Sequence, residues 1–171
     1  MYIFFLRRFK SYYSKLVETS KKKNIHFIAV SEDIKQSAIK RGIDGNKIYI
    51  SHIGVSTRDF FPSGSGIYDR KDLLFVGRLV EKKGCLLLLK AFDVISKLYP
   101  ELVLNIIGDG PIRGMLENMA KSKGMKVIFH GSQDSNYIKK YLSKSKIFYL
   151  PSITARNGDA EGFGIVILEA L

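Results

Sequence analysis

Residues 73–84 read Leu-Leu-Phe-Val-Gly-Arg-Leu-Val-Glu-Lys-Lys-Gly, and this stretch decides the fold. Leu73–Val76 is a short apolar run of the kind that forms a buried strand. Gly77 breaks it, and a helix is predicted over 84–98, closed by Pro100. The same rhythm repeats downstream. A strand is predicted over 102–107, then a Gly108-Asp109-Gly110-Pro111 turn. A helix over 112–123 ends at Gly124, and a strand over 127–129 follows. A helix over 135–144, a strand over 147–150 and a loop over 151–160 lead to a last helix starting near Gly162. Strands that are apolar throughout, alternating with helices, predict a parallel sheet covered on both faces. With right-handed crossovers this is an α/β, Rossmann-like unit.

Upstream the pattern differs. Tyr2, Phe5, Leu6, Phe9, Tyr12, Tyr13 and Leu16 recur at helical spacing and predict a basic amphipathic helix over 2–17. A strand over 25–30 follows. Ser31 with Glu32 and Asp33 is a helix start, and the helix runs to about Arg41 before Gly42. A strand over 47–50 closes this part. Pro62, Ser63, Gly64, Ser65 and Gly66 read as a linker. The expected organisation is therefore residues 1–60, the tail of a preceding domain with its linker, and residues 61–171, the Rossmann-like domain. A doubly wound sheet normally continues for two more strands, so the domain reads as incomplete after Leu171.

The chain has 171 residues, and its 46% of apolar residues suffice for a core. Its single cysteine, Cys85, can form no internal disulfide. At the predicted start of a helix its pKa could be lowered, but a packing role is expected. No apolar run approaches the roughly 20 residues that span a bilayer. The opening MYIFFLRRFK is no secretory signal, because its apolar stretch is too short and precedes the basic residues. A cytoplasmic protein is expected. The net charge is +12, and residues 1–23 hold seven Lys or Arg against one acid, Glu18. Such a field attracts anionic lipid, nucleic acid and phosphorylated ligands alike. The helical spacing of the Tyr and Phe residues favours packing over base stacking, so nucleic acid is not expected as a partner.

In an open α/β sheet a ligand binds beyond the C-terminal ends of the strands, where the strand order reverses. In the Rossmann order that point lies between the first and fourth strands. Residues 77–84 follow the first, and the loop 151–164 follows the fourth. Arg78 offers a planar fork of donors and Lys83 a point charge, and both can face one diphosphate. The amides of Gly162, Phe163 and Gly164 are expected at a helix N-terminus, which favours anions. Glu161 and Glu169 can accept hydrogen bonds from sugar or ribose hydroxyls. His26, His52 and His130 show no metal-ligand spacing and read as structural. No Gly-x-Gly-x-x-Gly or Walker loop is present, which argues against a nicotinamide enzyme or an NTPase.

The strings VGRLVEKKG, LNIIGDGPIR, VIFHGSQ and LPSITARNGDAEGFGIVILEA together resemble glycosyltransferase family 4, from about Ile25 to Leu171. The most specific element is the pair Glu161 and Glu169, with seven residues between them, within EGFGIVILE. The resemblance implies a GT-B fold of two facing Rossmann-like domains, with the donor held in the C-terminal one. It implies transfer of a sugar from a nucleoside-diphosphate-sugar donor to an acceptor hydroxyl with retained configuration, without metal or other cofactor. Arg78 and Lys83 would hold the diphosphate and stabilise the leaving group. Glu161 would contact the transferred sugar, and Glu169 the ribose. Gly77, Phe163, Gly164 and Ile165 would line the sugar and phosphate site, and Gly108 and the stretch 130–132, with Gly131, would wall the base. The family's usual Asn-Gly-Val-Asp run before the linker here reads His52-Ile53-Gly54-Val55-Ser56. The loop NGDAEGFG resembles members that build bacterial surface polysaccharide. Saccharide or lipid-linked saccharide acceptors are therefore expected, with peripheral contact to an anionic membrane at the inner face of the cell. The rivals are a fragment that binds nucleotide sugar without catalysis, a membrane-surface or nucleic-acid-binding protein driven by the basic start, and a phosphorylase of similar fold, whose cofactor-binding lysine has no counterpart.

Overall fold

The computed structural model describes residues 10–58 and 70–171. The first part of the predicted opening helix and the Pro62–Gly66 linker lie outside the described residues. The chain divides into two compact units, Met1–Gly54 and Val55–Leu171.

In the first unit, α1 (Lys10–Ser20) precedes a β-α-β arrangement of β1 (Phe27–Ala29), α2 (Glu32–Ile39) and β2 (Ile48–Ile50). The two strands pair in parallel, with Phe27 opposite Ile48 and Ala29 opposite Ile50. Ser31 caps α2 by accepting from the Ile34 amide at 3.3 Å, with Glu32 and Asp33 in the first turn. Ala29, Ala38, Ile43 and Ile48 form its small core, and Val17 of α1 packs on it. The Lys47 ammonium donates to the carbonyls of Ser20, at 2.6 Å, and Lys22, so a cation satisfies the C-terminal end of α1.

The second unit alternates strictly. Its elements are β3 (Asp72–Val76), α3 (Cys85–Leu98), β4 (Leu104–Ile107), α4 (Arg113–Ser122), β5 (Val127–Gly131), α5 (Ser135–Lys144), β6 (Ser145–Tyr149) and α6 (Ile165–Ala170). The four strands pair in parallel in the order β5-β4-β3-β6. The sheet therefore grows from β3 in one direction through β4 and β5, and reverses to place β6 on its other side.

Alternation along the strands divides the core into two layers. Leu73, Phe75, Leu104 and Ile106 face one way and pack with Leu88, Leu89 and Phe92 of α3 and Leu116 and Ala120 of α4. Leu74, Val76 and Ile107 face the other way, against Val166 of α6 and Tyr137, Ile138, Tyr141 and Leu142 of α5. Each fully buried Leu or Phe contributes about 1.5–3 kcal/mol of transfer free energy, so this sandwich dominates the unit's stability. The fold is the expected α/β sheet covered on both faces.

Element ends differ from the sequence reading in physically clear ways. β4 begins at Leu104 because the Leu102 amide turns back to the Tyr99 carbonyl at 3.1 Å across Pro100. β5 runs on to Gly131, where the Gly131 carbonyl accepts from the Gly108 amide at 2.7 Å. The last helix begins at Ile165, not near Gly162, with Gly164 outside helical dihedrals as its N-cap. The amides of Gly162 and Phe163 therefore belong to the loop rather than to a helical first turn.

Candidate functional site

Two loops meet where the strand order reverses, between β3 and β6. The first, residues 77–84, is fixed from below. The Gly77 amide donates to the Ile107 carbonyl at 3.0 Å and the Leu79 amide to the Asp109 carbonyl at 2.9 Å. The Leu79 side chain is fully buried. Glu81–Lys83 make a single 3-10 turn, closed by Gly84 at φ +68°. A Cβ on Gly84 would lie 1.7 Å from the Pro151 carbonyl oxygen, so only glycine lets the two loops touch here.

The second loop, between β6 and α6, is tied to the first. The Ile153 amide donates to the Lys82 carbonyl at 2.8 Å, and the Arg156 amide to Glu81 Oε1 at 3.3 Å. Internally it turns through Ala155 N–H to the Asp159 carbonyl, 2.6 Å, and Gly158 N–H to the Ala155 carbonyl, 2.7 Å.

This geometry brings Lys83 and Glu161 together, although 78 positions separate them. The Lys83 ammonium donates to Glu161 Oε2, and the Ser152 hydroxyl donates to the same oxygen at 3.5 Å. Both charged side chains are largely shielded, 16% and 21% exposed. Arg78 lies on the same loop, is exposed, and among the described residues pairs with no carboxylate.

The expected glycines of the site are also neighbours. Gly77, Gly108 and Gly131 sit at the C-terminal ends of the adjacent strands β3, β4 and β5. A Cβ on Gly108, at φ +135°, would meet the Gly77 carbonyl oxygen at 2.0 Å. Phe163 and Gly164 follow Glu161 and are half-buried, whereas Ile165 is 41% exposed. Glu169 stands apart. It lies on α6, where burial pushes its carboxyl above the ordinary glutamate range and Lys139 of α5 opposes that shift. No hydrogen bond or ion pair links it to Arg78, Lys83 or Glu161.

Cys85 is fully buried in the core, and burial pushes its thiol up to about 12. The helix start exerts no visible pull, because the side chain points into the apolar layer of α3. His130 is held from both ring nitrogens. Its Nε2 lies 2.8 Å from Asn105 Oδ1 and its Nδ1 lies 2.9 Å from the Tyr137 hydroxyl. Burial lowers its pKa. The neutral ring fits this pattern, donating through one nitrogen and accepting through the other.

Several residues of the site escaped the sequence reading. Arg113 bridges Asp109 at 3.0 Å and Glu117 at 2.7 Å, and its guanidinium Nη1 lies 3.3 Å from where a Gly131 Cβ would be. The spacing of four residues on either side of Arg113 was the available signal. Glu81, Lys82, Arg156 and Asp159 were also passed over, although their signs alternate along the two loops in complementary order.

Among the described residues no group of three or more His, Cys, Asp or Glu could hold a metal ion, and no helix is long and apolar enough to cross a membrane.

Residues 57–171 match the family model described as "Glycosyl transferases group 1". The amylovoran biosynthesis glycosyltransferase AmsK of Erwinia amylovora is 27% identical over 147 residues, which is 84% of this chain and 36% of that protein. The C-terminal domain of the group 1 family protein LpcC from Francisella tularensis is 27% identical with a TM-score of 0.59, over 68% of this chain and 65% of that one. HepE from Anabaena, solved with UDP and glucose, has a TM-score of 0.75 at 20% identity, over 92% of this chain and 45% of that one, a likeness of fold alone. The chain thus spans about a third of the curated relative AmsK.

Proposed function

Because the chain belongs to the glycosyl transferases group 1 family, we propose that the loops 77–84 and 151–164 together bind a nucleoside-diphosphate sugar. In this reading the whole protein transfers that sugar, of hexosyl type, to an acceptor hydroxyl with retention of configuration. The observation that carries the reading is the meeting of Lys83 with Glu161 at the switch point, with Arg78 exposed on the same loop. A cation pair beside a carboxylate is the chemistry a nucleotide sugar needs. Arg78 and Lys83 take the diphosphate and stabilise the negative charge that grows on it as the glycosidic bond breaks. They supply the positive charge at the leaving group, so no divalent ion is called for. Glu161, displaced from Lys83 by phosphate, accepts hydrogen bonds from the sugar. Gly77, Gly162, Phe163, Gly164 and Ile165 line the sugar and phosphates, Gly108 and Gly131 wall the base, and Glu169 holds the ribose. HepE, of the same fold, was solved with UDP and glucose, the ligand class assigned here.

The first unit would then be the tail of the acceptor domain, and residues 61–171 the donor domain. The Erwinia relative is named for amylovoran biosynthesis, which supports a place in bacterial surface polysaccharide synthesis with a saccharide or lipid-linked acceptor. The basic first 23 residues would rest on the anionic inner face of the cell membrane from the cytoplasmic side. Transfer in this reading also needs the facing acceptor domain, so the donor unit alone would bind donor without turnover.

The test is turnover by the full-length protein with uridine, guanosine and adenosine diphosphate sugars and an acceptor saccharide, followed by the anomeric coupling of the product. Retained configuration with one donor class, abolished in Lys83→Ala, is expected. Inverted product, or undiminished turnover in Lys83→Ala, would sink the assignment.

A further inference from the structure

The turn at residues 81–83 carries three consecutive charges, and each meets an opposite charge on the second loop. Arg156 Nε lies 3.7 Å from Glu81 Oε1, and Lys82 Nζ lies 3.5 Å from Asp159 Oδ2. Lys83 meets Glu161. The partners follow in the same order along both segments, so the pattern minus-plus-plus faces plus-minus-minus. A slip of one partner in either direction would set Lys82 against Arg156 or Glu81 against Asp159, a like-charged pair each time. Sign order thus specifies one register and penalises its neighbours. The pairs are graded in depth. The Glu81 and Arg156 side chains are 47% and 96% exposed, Lys82 and Asp159 are 28% and 37%, and Lys83 and Glu161 are 16% and 21%. Two backbone amides of the second loop donate to the first alongside these pairs, Ile153 to the Lys82 carbonyl and Arg156 to the Glu81 carboxylate.

We propose that Glu81, Lys82, Arg156 and Asp159 are positioning residues, a charge clasp that sets the second loop against the first so that Glu161 is presented beside Lys83. The inference rests on the donor-site reading for its consequence. When phosphate draws Lys83 away from Glu161, the innermost pair opens and the two outer pairs keep the loop in place. The clasp therefore acts on donor affinity without touching donor.

The experiment exchanges charge within the middle pair. Lys82→Glu, Asp159→Lys and the double variant are compared with wild type by two readouts. The first is amide hydrogen exchange at Ile153 and Arg156 without ligand. The second is the Kd for uridine, guanosine and adenosine diphosphate. An exposed pair is worth up to about fivefold in an equilibrium, and reversing one charge adds a repulsion of similar size, so each single variant should lose about tenfold in protection. The nucleotide Kd should rise by a similar factor, and the double variant should recover most of both losses. Thermal unfolding checks that each variant is folded. Unchanged protection in the single variants, or no recovery in the double, overturns the clasp. A wild type that binds none of the three diphosphates overturns the donor-site reading, and with it the clasp's effect on donor, while exchange alone still decides whether the charges set the loop.

Discussion

Replacing Gly84 by alanine should separate the touching loops, and two other glycines calibrate the effect. Gly84, at φ +68°, places a would-be Cβ 1.7 Å from a backbone oxygen of Pro151, more than 1 Å short of any contact a Cβ makes. No side chain can swing aside, so one of the loops must move. Gly124, at φ +64° beyond α4, has nothing within 4 Å, so Gly124→Ala reports the left-handed strain alone, about 1 kcal/mol. Gly114, inside α4 with open space and ordinary dihedrals, should gain about 0.5 kcal/mol as alanine. Gly84→Ala carries the same strain plus an overpacking cost of about 1–3 kcal/mol, for a total of about 2–4 kcal/mol. The chain has no tryptophan, so urea unfolding is followed by far-ultraviolet circular dichroism. At roughly 2 kcal/mol per molar urea, the Gly84→Ala midpoint should fall by about 1–2 M. A loss no larger than that of Gly124→Ala would refute the contact between the loops on which the site is built.

Other outcomes follow from the same geometry. The Cys85 thiol, buried and pushed up to about 12, should react with a thiol reagent at about pH 8 only as fast as the unit opens, and at once in denaturant. Reaction of the folded protein at the denatured rate would contradict its burial. Burial raises the Glu169 pKa, so the folded chain holds that proton more tightly than the unfolded chain. The resulting stability is full below the ordinary glutamate pKa and is lost as pH rises through the folded value. Glu169→Gln should therefore equal wild type at about pH 4 and exceed it in urea midpoint at about pH 7. An equal or lower midpoint at the higher pH would show that the carboxylate is stabilised where it sits. Tyr137→Phe should cost stability by removing a partner of the His130 ring, whereas His52→Ala, exposed and bonded through one ring nitrogen to the Val30 carbonyl, should cost little. Equal urea midpoints for the two variants would count against a stabilising role for the half-buried His130–Tyr137 contact.

The alternation of elements was legible because period and punctuation agree. α5 starts at Ser135, where the helix over 135–144 is expected, and Asp134 caps it by accepting from the Tyr137 amide. Apolar runs such as Leu73–Val76 read as buried strands and are buried on both faces. The reversal of strand order was legible too, since the Rossmann order expected from the alternation puts the fourth strand beside the first, and β6 does lie beside β3. Two kinds of information were not local enough to read. The start of α6 depends on Gly164 packing against Leu150, a contact between a loop and a strand end. The pairing of Glu81, Lys82 and Lys83 with Arg156, Asp159 and Glu161 joins residues 75 or more positions apart, and either triplet alone reads as a solvated charge run. The fate of Cys85 turned on which way its side chain pointed at the helix start, and burial outweighed the helix end.

The proposal puts a nucleotide-sugar donor beside the loops that follow β3 and β6. Its most direct test is ligand-induced thermal stabilisation of this chain by uridine, guanosine and adenosine diphosphate sugars, beside Arg78→Ala and Lys83→Ala. Ligand at about 100 times its Kd should add about 2.7 kcal/mol to the stability of the folded unit. Stabilisation by one nucleotide class, lost in both variants, is the predicted result. Stabilisation that survives in both variants, or none with any donor from a folded chain, would contradict the account.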